Sequence, residues 1–140
     1  MEGKVKIDLK VITPNRVVFS DKVERFSVPS VTGEITILPK HISLFTPTVE
    51  GELRIVREGE VQFLSVGKGI LEVGNNQASF LIEDAFHSAE INEQEVLAAK
   101  ENAEKILKEK PKGEDLVSAR AVFRRSLIDL KVARRKKRTL

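Results

Sequence analysis

Cysteine is absent from this 140-residue chain, so a disulfide framework and a thiolate zinc site are both excluded, and a reducing compartment is expected. Histidine is scarce. His41 and His87 are the two present, and neither has a cysteine to pair with. No serine sits in a nucleophile-elbow setting, and no metal-ligand cluster is visible, so an enzyme is the least favoured class. No carboxylate pair is framed by the apolar pocket that would raise one pKa for acid–base work. No uninterrupted apolar run approaches the roughly 18 residues needed to span a bilayer. Asp8, Lys10 and Arg16 interrupt the apolar positions of the first twenty residues, so no secretory leader is expected. Gly67-Lys68-Gly69 lacks the full P-loop spacing and reads as a turn. These absences describe a soluble, non-enzymatic chain with no cofactor, reaching a membrane only through partners.

What is present divides in two. A hydrophobic fraction of 41% supports a real core, and the length suits one compact domain of about 80 to 90 residues plus an appendage. Residues 1–87 hold ten Lys/Arg against twelve Asp/Glu, a net of −2, whereas residues 88–140 hold fourteen against nine, a net of +5. Residues 115–140 alone carry nine basic side chains against Asp115 and Asp129. A charge division that coincides with a change of periodicity marks two parts with different work. Low Cys and Met with 32% charged residues hint at a thermophilic source.

The first part reads as strands. Val5, Ile7, Leu9 and Val11 alternate with Lys4, Lys6, Asp8 and Lys10 until Thr13-Pro14-Asn15 breaks the run. Further strand-like segments cover residues 16–20, 22–28, 34–38, 43–46, 52–56, 61–66, 69–73 and 77–82. Glu58-Gly59 and Gly74-Asn75-Asn76 supply the positive-φ tolerance of tight hairpins. Phe19, Phe26, Phe45, Phe63 and Phe80 are the expected bulky core fillers. An antiparallel β-sandwich of about ten strands is predicted over residues 1–87.

The second part reads as helices. Asn92 with Glu95 three residues later resembles a capping box, followed by a stripe of Val96, Ala99, Ala103 and Ile106 or Leu107. Glu101/Lys105 and Glu104/Lys108 are spaced as i,i+4 pairs. Lys110-Pro111-Lys112-Gly113 stops this helix. A second begins at Glu114 and Asp115, with a stripe of Leu116, Ala119, Phe123, Leu127, Leu130 and Ala133. The predicted fold is therefore α+β: the sandwich followed by an αα-hairpin over residues 88–140. At about 25 cal/mol per Å² of apolar surface, two alanine-rich faces hold their neighbours weakly, so a detachable hairpin and a docked one both remain open. The basic end Arg134-Arg135-Lys136-Lys137-Arg138 is extended back along the helix by Arg120, Arg124 and Arg125, with residues 120, 124 and 131 roughly on one side, bordering the apolar stripe. That edge suits an acidic-rimmed protein groove. The alternative is a free nucleic-acid-binding protein using residues 120–138 as a clamp, although no aromatic platform for bases accompanies them and no nucleic-acid partner is expected.

Several blocks then point to one family. They are Val11-Ile12-Thr13-Pro14, Val17-Val18-Phe19, and the stretch from Val28-Pro29 through Gly33-Glu34-Ile35-Thr36-Ile37-Leu38-Pro39-Lys40-His41. Gly51-Glu52-Leu53-Arg54-Ile55, residues 66–73 and Leu130-Lys131-Val132-Ala133 follow in order. Together they resemble the epsilon subunits of bacterial F-type ATP synthases along nearly the whole chain. The resemblance implies a non-catalytic subunit of the central rotor, peripheral at the cytoplasmic face of the plasma membrane, in a proton- or sodium-driven complex. The sandwich would pack on the gamma subunit and rest on the c-ring, with Glu34 and His41 near that ring. The hairpin would extend along gamma and inhibit ATP hydrolysis by meeting the catalytic beta (and alpha) subunits through Arg120, Arg124, Arg125, Arg134 and Arg135. Some members bind ATP through an Ile/Leu-Asp-x-x-Arg-Ala motif. Here Asn92 stands for its aspartate, Glu95 for its arginine, and Asp129 for a later arginine, while Arg125 matches another, so weak or absent ATP binding is expected.

Overall fold

The computed structural model describes residues 5–135 and the backbone of residues 138–139. The strands are β1 (Ile7–Ile12), β2 (Val17–Val23), β3 (Arg25–Ser30), β4 (Gly33–Ile37), β5 (Leu44–Thr48), β6 (Gly51–Arg57), β7 (Glu60–Val66), β8 (Gly69–Gly74), β9 (Gln77–Ile82) and β10 (Ala85–His87). A 3-10 turn at Ser88–Glu90 leads to helices α1 (Glu93–Lys108) and α2 (Glu114–Ala133), and a short β11 (Arg138–Thr139) follows. One sheet runs β2-β1-β9-β8-β5 and the other β10-β7-β6-β3-β4, with β11 also on β7. The predicted sandwich and helical hairpin are both there.

Alternation builds the sandwich. Ile7, Leu9 and Val11 are buried, while Asp8 and Lys10 face outward. Eighteen buried residues from both sheets form one core, led by Phe26, Phe80, Leu53, Ile55, Leu64 and Leu71. Every one lies between Ile7 and Ala85, so the helices contribute nothing to it. Burying a large apolar side chain is worth about 1.5–3 kcal/mol, which makes this the dominant stabilising element. The Glu58-Gly59 and Asn75-Asn76 turns place both central residues at positive φ (52° and 77°, 51° and 58°), as tight hairpins with right-handed twist require. Gly69 opens β8 where a Cβ would meet the Leu81 carbonyl oxygen at 2.0 Å, so Gly67-Lys68-Gly69 is a turn dictated by close backbone approach.

Some expectations change. All ladders are antiparallel except β1 with β9, a parallel pair whose long connection is the rest of the sandwich. The break expected at Asp21 falls at Glu24, where the chain crosses between sheets and the Glu24 N–H donates to the Val56 carbonyl at 2.9 Å. Strand β10, only three residues long, lacks a readable period. Phe45 is 69% exposed, because on edge strand β5 Leu44, Thr46 and Thr48 take the inward positions. Val5 precedes β1 and is exposed.

In the hairpin, the Asn92 side chain caps α1 by accepting the Glu95 N–H at 3.2 Å. Gly113, at φ 64°, begins α2 in a conformation that favours glycine. Glu104 reaches back to Lys100 at 3.6 Å instead of forward to Lys108. Ala119 and Leu130 of the expected α2 stripe are buried, but Leu127 is exposed, and Ser126 and Val132, outside that stripe, are buried. The helix packs against α1 on one side and the second sheet on another, which turns its buried face.

Candidate functional site

Two regions carry the residues singled out by sequence. The first is the chain from the β3–β4 turn to β5, which passes from the edge of one sheet to the edge of the other. Val31, Leu38, Ile42 and Phe45 are all large, apolar and more than half exposed within fifteen residues. Scattered exposed apolar side chains are ordinary, but a run of this density marks an interaction surface. Glu34 lies on β4 and faces Arg54 at 3.6 Å. His41 is half-buried in the following loop, its Nδ1 2.7 Å from the Ile42 carbonyl and its backbone N–H on the Leu38 carbonyl at 3.2 Å. Lys40, at φ 62°, donates its N–H to the Asn76 side-chain oxygen at 2.7 Å and pins the loop to the β8–β9 turn. His41 thus holds a loop shape and, among the described residues, has no acidic or nucleophilic companion.

The second region is the seat of the hairpin on the outer face of β6 and β7. Val132 of α2 inserts among Val56, Val61 and Phe63, with Ile91 and Ile128 at the margin. Around this small apolar patch, arginines of α2 and of the residues just after it are held by carboxylates. Arg124 Nε donates to Glu50 at 2.5 Å. Arg135 grips Glu52 with two bonds of 2.9 and 3.0 Å, and its guanidinium lies 4.6 Å from the centre of the Phe63 ring. Arg134 pairs within the hairpin, with Glu93 at 2.7 Å. Arg120 is exposed and makes no ion pair among the described residues. Residues 136 and 137 of the basic run lie outside the described residues.

Arg125 is the most enclosed of the five. Its NH2 group donates to Asp84 at 2.5 Å, and its Nε–H points at Asp129 (3.0 Å) and the Ser65 hydroxyl oxygen (3.1 Å). Ser65 is fully buried and donates its own hydroxyl to Asp129. Burial alone would push the Arg125 guanidinium down, but hydrogen bonds and charge from Asp84 and then Asp129 hold it above its ordinary value. It is a permanent cation with its carboxylates in place.

The hinge has a clamp of its own. Arg16 donates to the Ala85 carbonyl at 3.0 Å and pairs with Glu90 at 3.0 and 3.1 Å. That bond, opposed by burial and assisted by the His87 N–H, holds the Glu90 carboxyl below the usual range.

Of the ATP-motif positions, Asn92 is occupied as a helix cap, Glu95 supplies the N–H it accepts, and Asp129 is bonded to Arg125 and Ser65. The structure brings Arg125 and Asp129 together and leaves Asn92 and Glu95 at the start of α1. Sequence reading missed Asp84, Glu50, Glu52 and Ser65, whose partners lie 41 to 83 positions away. Among the described residues no group of three or more His, Asp or Glu could hold a metal, and no helix is long and apolar enough to cross a membrane.

Residues 6–88 match the family model described as ATP synthase, Delta/Epsilon chain, beta-sandwich domain. The chain is similar to the ATP synthase epsilon chain of Caldicellulosiruptor bescii, at 36% identity over 94% of this chain and 96% of that one. It resembles the epsilon chain of Herpetosiphon aurantiacus at 35% identity, over 91% and 94% of the two chains. Among solved structures, a chain of the Euglena gracilis mitochondrial ATP synthase (OSCP/F1/c-ring) matches with a TM-score of 0.68 at 18% identity, covering 95% of this chain and 81% of that one. A chain of the Tetrahymena thermophila mitochondrial ATP synthase central stalk/c-ring matches at 0.60 and 16%, covering 93% and 98%. At such identities the structural matches speak for the fold.

Proposed function

The chain belongs to the family of ATP synthase epsilon chains, and from that membership we propose that it acts as a non-catalytic rotor subunit of a bacterial F-type complex. Residues 1–87 dock on the gamma subunit and c-ring, and residues 88–140 form a regulatory hairpin that restrains ATP hydrolysis. The exposed apolar run from Val31 to Phe45, with Glu34 and His41 along it, supports the docking role. It would place the chain at the cytoplasmic face of the membrane, peripheral and held through its partners. ATP binding is weak or absent, because Asp129 already takes up the Arg125 guanidinium.

The observation that carries the regulatory reading is the composition of the hairpin seat. A complete core exists without the helices, and the helices are attached by one small apolar patch and a ring of arginine–carboxylate pairs. Such a hairpin can leave without unfolding the sandwich, and its released arginines would face acidic segments of the catalytic beta and alpha subunits. A nucleic-acid clamp over residues 120–138 loses ground for the same reason: Arg124, Arg125 and Arg135 are already neutralised. Assembling the complex with the full chain or with residues 88–140 removed tests the reading. Hydrolysis should rise on removal while gamma binding persists. Unchanged hydrolysis would reject inhibition, and loss of gamma binding by the full chain would reject the rotor role.

A further inference from the structure

The hairpin is docked by groups the chain itself provides, and those groups converge on Arg125. One guanidinium joins three elements: Asp84 from the β9–β10 link, Ser65 from β7 and Asp129 from its own helix. Asp129 sits four residues on, where an α-helix brings side chains onto one face, and it also receives the buried Ser65 hydroxyl. The buried hydroxyl and the helix carboxylate therefore satisfy each other when the hairpin is down. Each loses a partner when it lifts. Arg124–Glu50 on the helix and Arg135–Glu52 just beyond its end add two further ion pairs to the sandwich.

We propose that Asp84, Arg125, Asp129 and Ser65 form an internal latch that keeps the hairpin docked without any bound small molecule. The sandwich carboxylates Glu50, Glu52 and Asp84 act as competitors for Arg124, Arg135 and Arg125. An acidic partner can engage these three arginines only after displacing the carboxylates, so the latch sets the threshold for release. The latch stands on geometry alone; its effect on hydrolysis rests on the inhibitory reading above.

The lack of native cysteine makes the test direct. Spin labels at Ser43→Cys on the sandwich and Ser118→Cys on α2, both exposed positions, report docking in the full chain by pulsed electron resonance distances. Without nucleotide, one docked distance should dominate, and added ATP should leave it unchanged. Asp84→Asn with Asp129→Asn should raise the undocked population about tenfold, as partners of an enclosed arginine are removed. Leu127→Ser, on the exposed side of α2, should leave it unchanged. A hairpin that docks only when ATP is added, or a double variant still docked, would overturn the latch. Melting curves check that each variant keeps its sandwich, whose core contains none of these residues.

The second readout uses Asp84→Asn alone, which leaves α2 intact. In the assembled complex it should lower ATP hydrolysis, because more hairpin is free. Undocking by label distance with unchanged hydrolysis would uphold the latch and reject the inhibitory reading. Lower hydrolysis with no change in docking would reject the latch.

Discussion

The sandwich and the hairpin sit in one chain but are held by different physics. The sandwich is closed by eighteen buried residues from both sheets, a non-directional force proportional to area. The hairpin is seated by a patch of four buried residues and by arginine–carboxylate bonds that depend on geometry and salt. The first kind of contact resists rearrangement, and the second kind allows it, because charged groups can change partners whereas a dry core cannot.

The strongest way to break this contrast is to damage the core and ask whether the hairpin matters. Phe26→Ala empties a fully buried position between β4 and β6 and should cost about 3–5 kcal/mol, read as a large fall in the urea midpoint of strand signal. If residues 88–140 were part of the same cooperative unit, removing them would cost as much. The expectation is that their removal shifts the sandwich midpoint far less than Phe26→Ala does.

A smaller effect sharpens the other side. Val132→Ala removes the single buried α2 side chain in the seat and should cost about 1 kcal/mol or slightly more of docking, with the sandwich unchanged. Amide exchange resolves the two: faster exchange across α1 and α2, none gained in β1, β8 or β9. Uniformly faster exchange would show that the two regions share one unfolding event.

Much of this was legible in the sequence, and the limits are physical. Period-two alternation located β1 and most of the sandwich, and Glu58-Gly59 and Asn75-Asn76 located hairpins, because both signals are local. Asn92 was readable as a cap for the same reason. Phe45 was misplaced because bulk and apolarity do not say which side of an edge strand a residue takes. Leu127 was misplaced because a helix wedged between another helix and a sheet buries a face that one stripe cannot define. Arg125 and Asp129 were visible four residues apart, but as places in a borrowed motif. That they form a pair, and that Asp84 and Ser65 complete it, follows only from the meeting of β7, the β9–β10 link and α2.

The smallest expected effect lies at the hinge between the two regions. Glu90 is held below its ordinary value of 4.5 by the Arg16 hydrogen bond, against burial and with help from the His87 N–H. A carboxyl lowered in the folded state adds stability that is complete above its unfolded value and lost as pH falls through the folded one. The Arg16–Glu90 clamp should therefore be intact above about pH 4.5 and release below it. Acid also weakens surface ion pairs in general, so the informative quantity is a difference. Label distances followed from pH 7 downward should show the hairpin loosening in acid for both the wild type and Glu90→Gln, but at neutral pH Glu90→Gln should already be slightly looser. The two curves should converge below pH 4.5. If they stay apart at every pH, the Glu90 charge is not what closes the hinge; if they coincide throughout, the hinge needs no clamp and the α2 pairs alone hold the hairpin down.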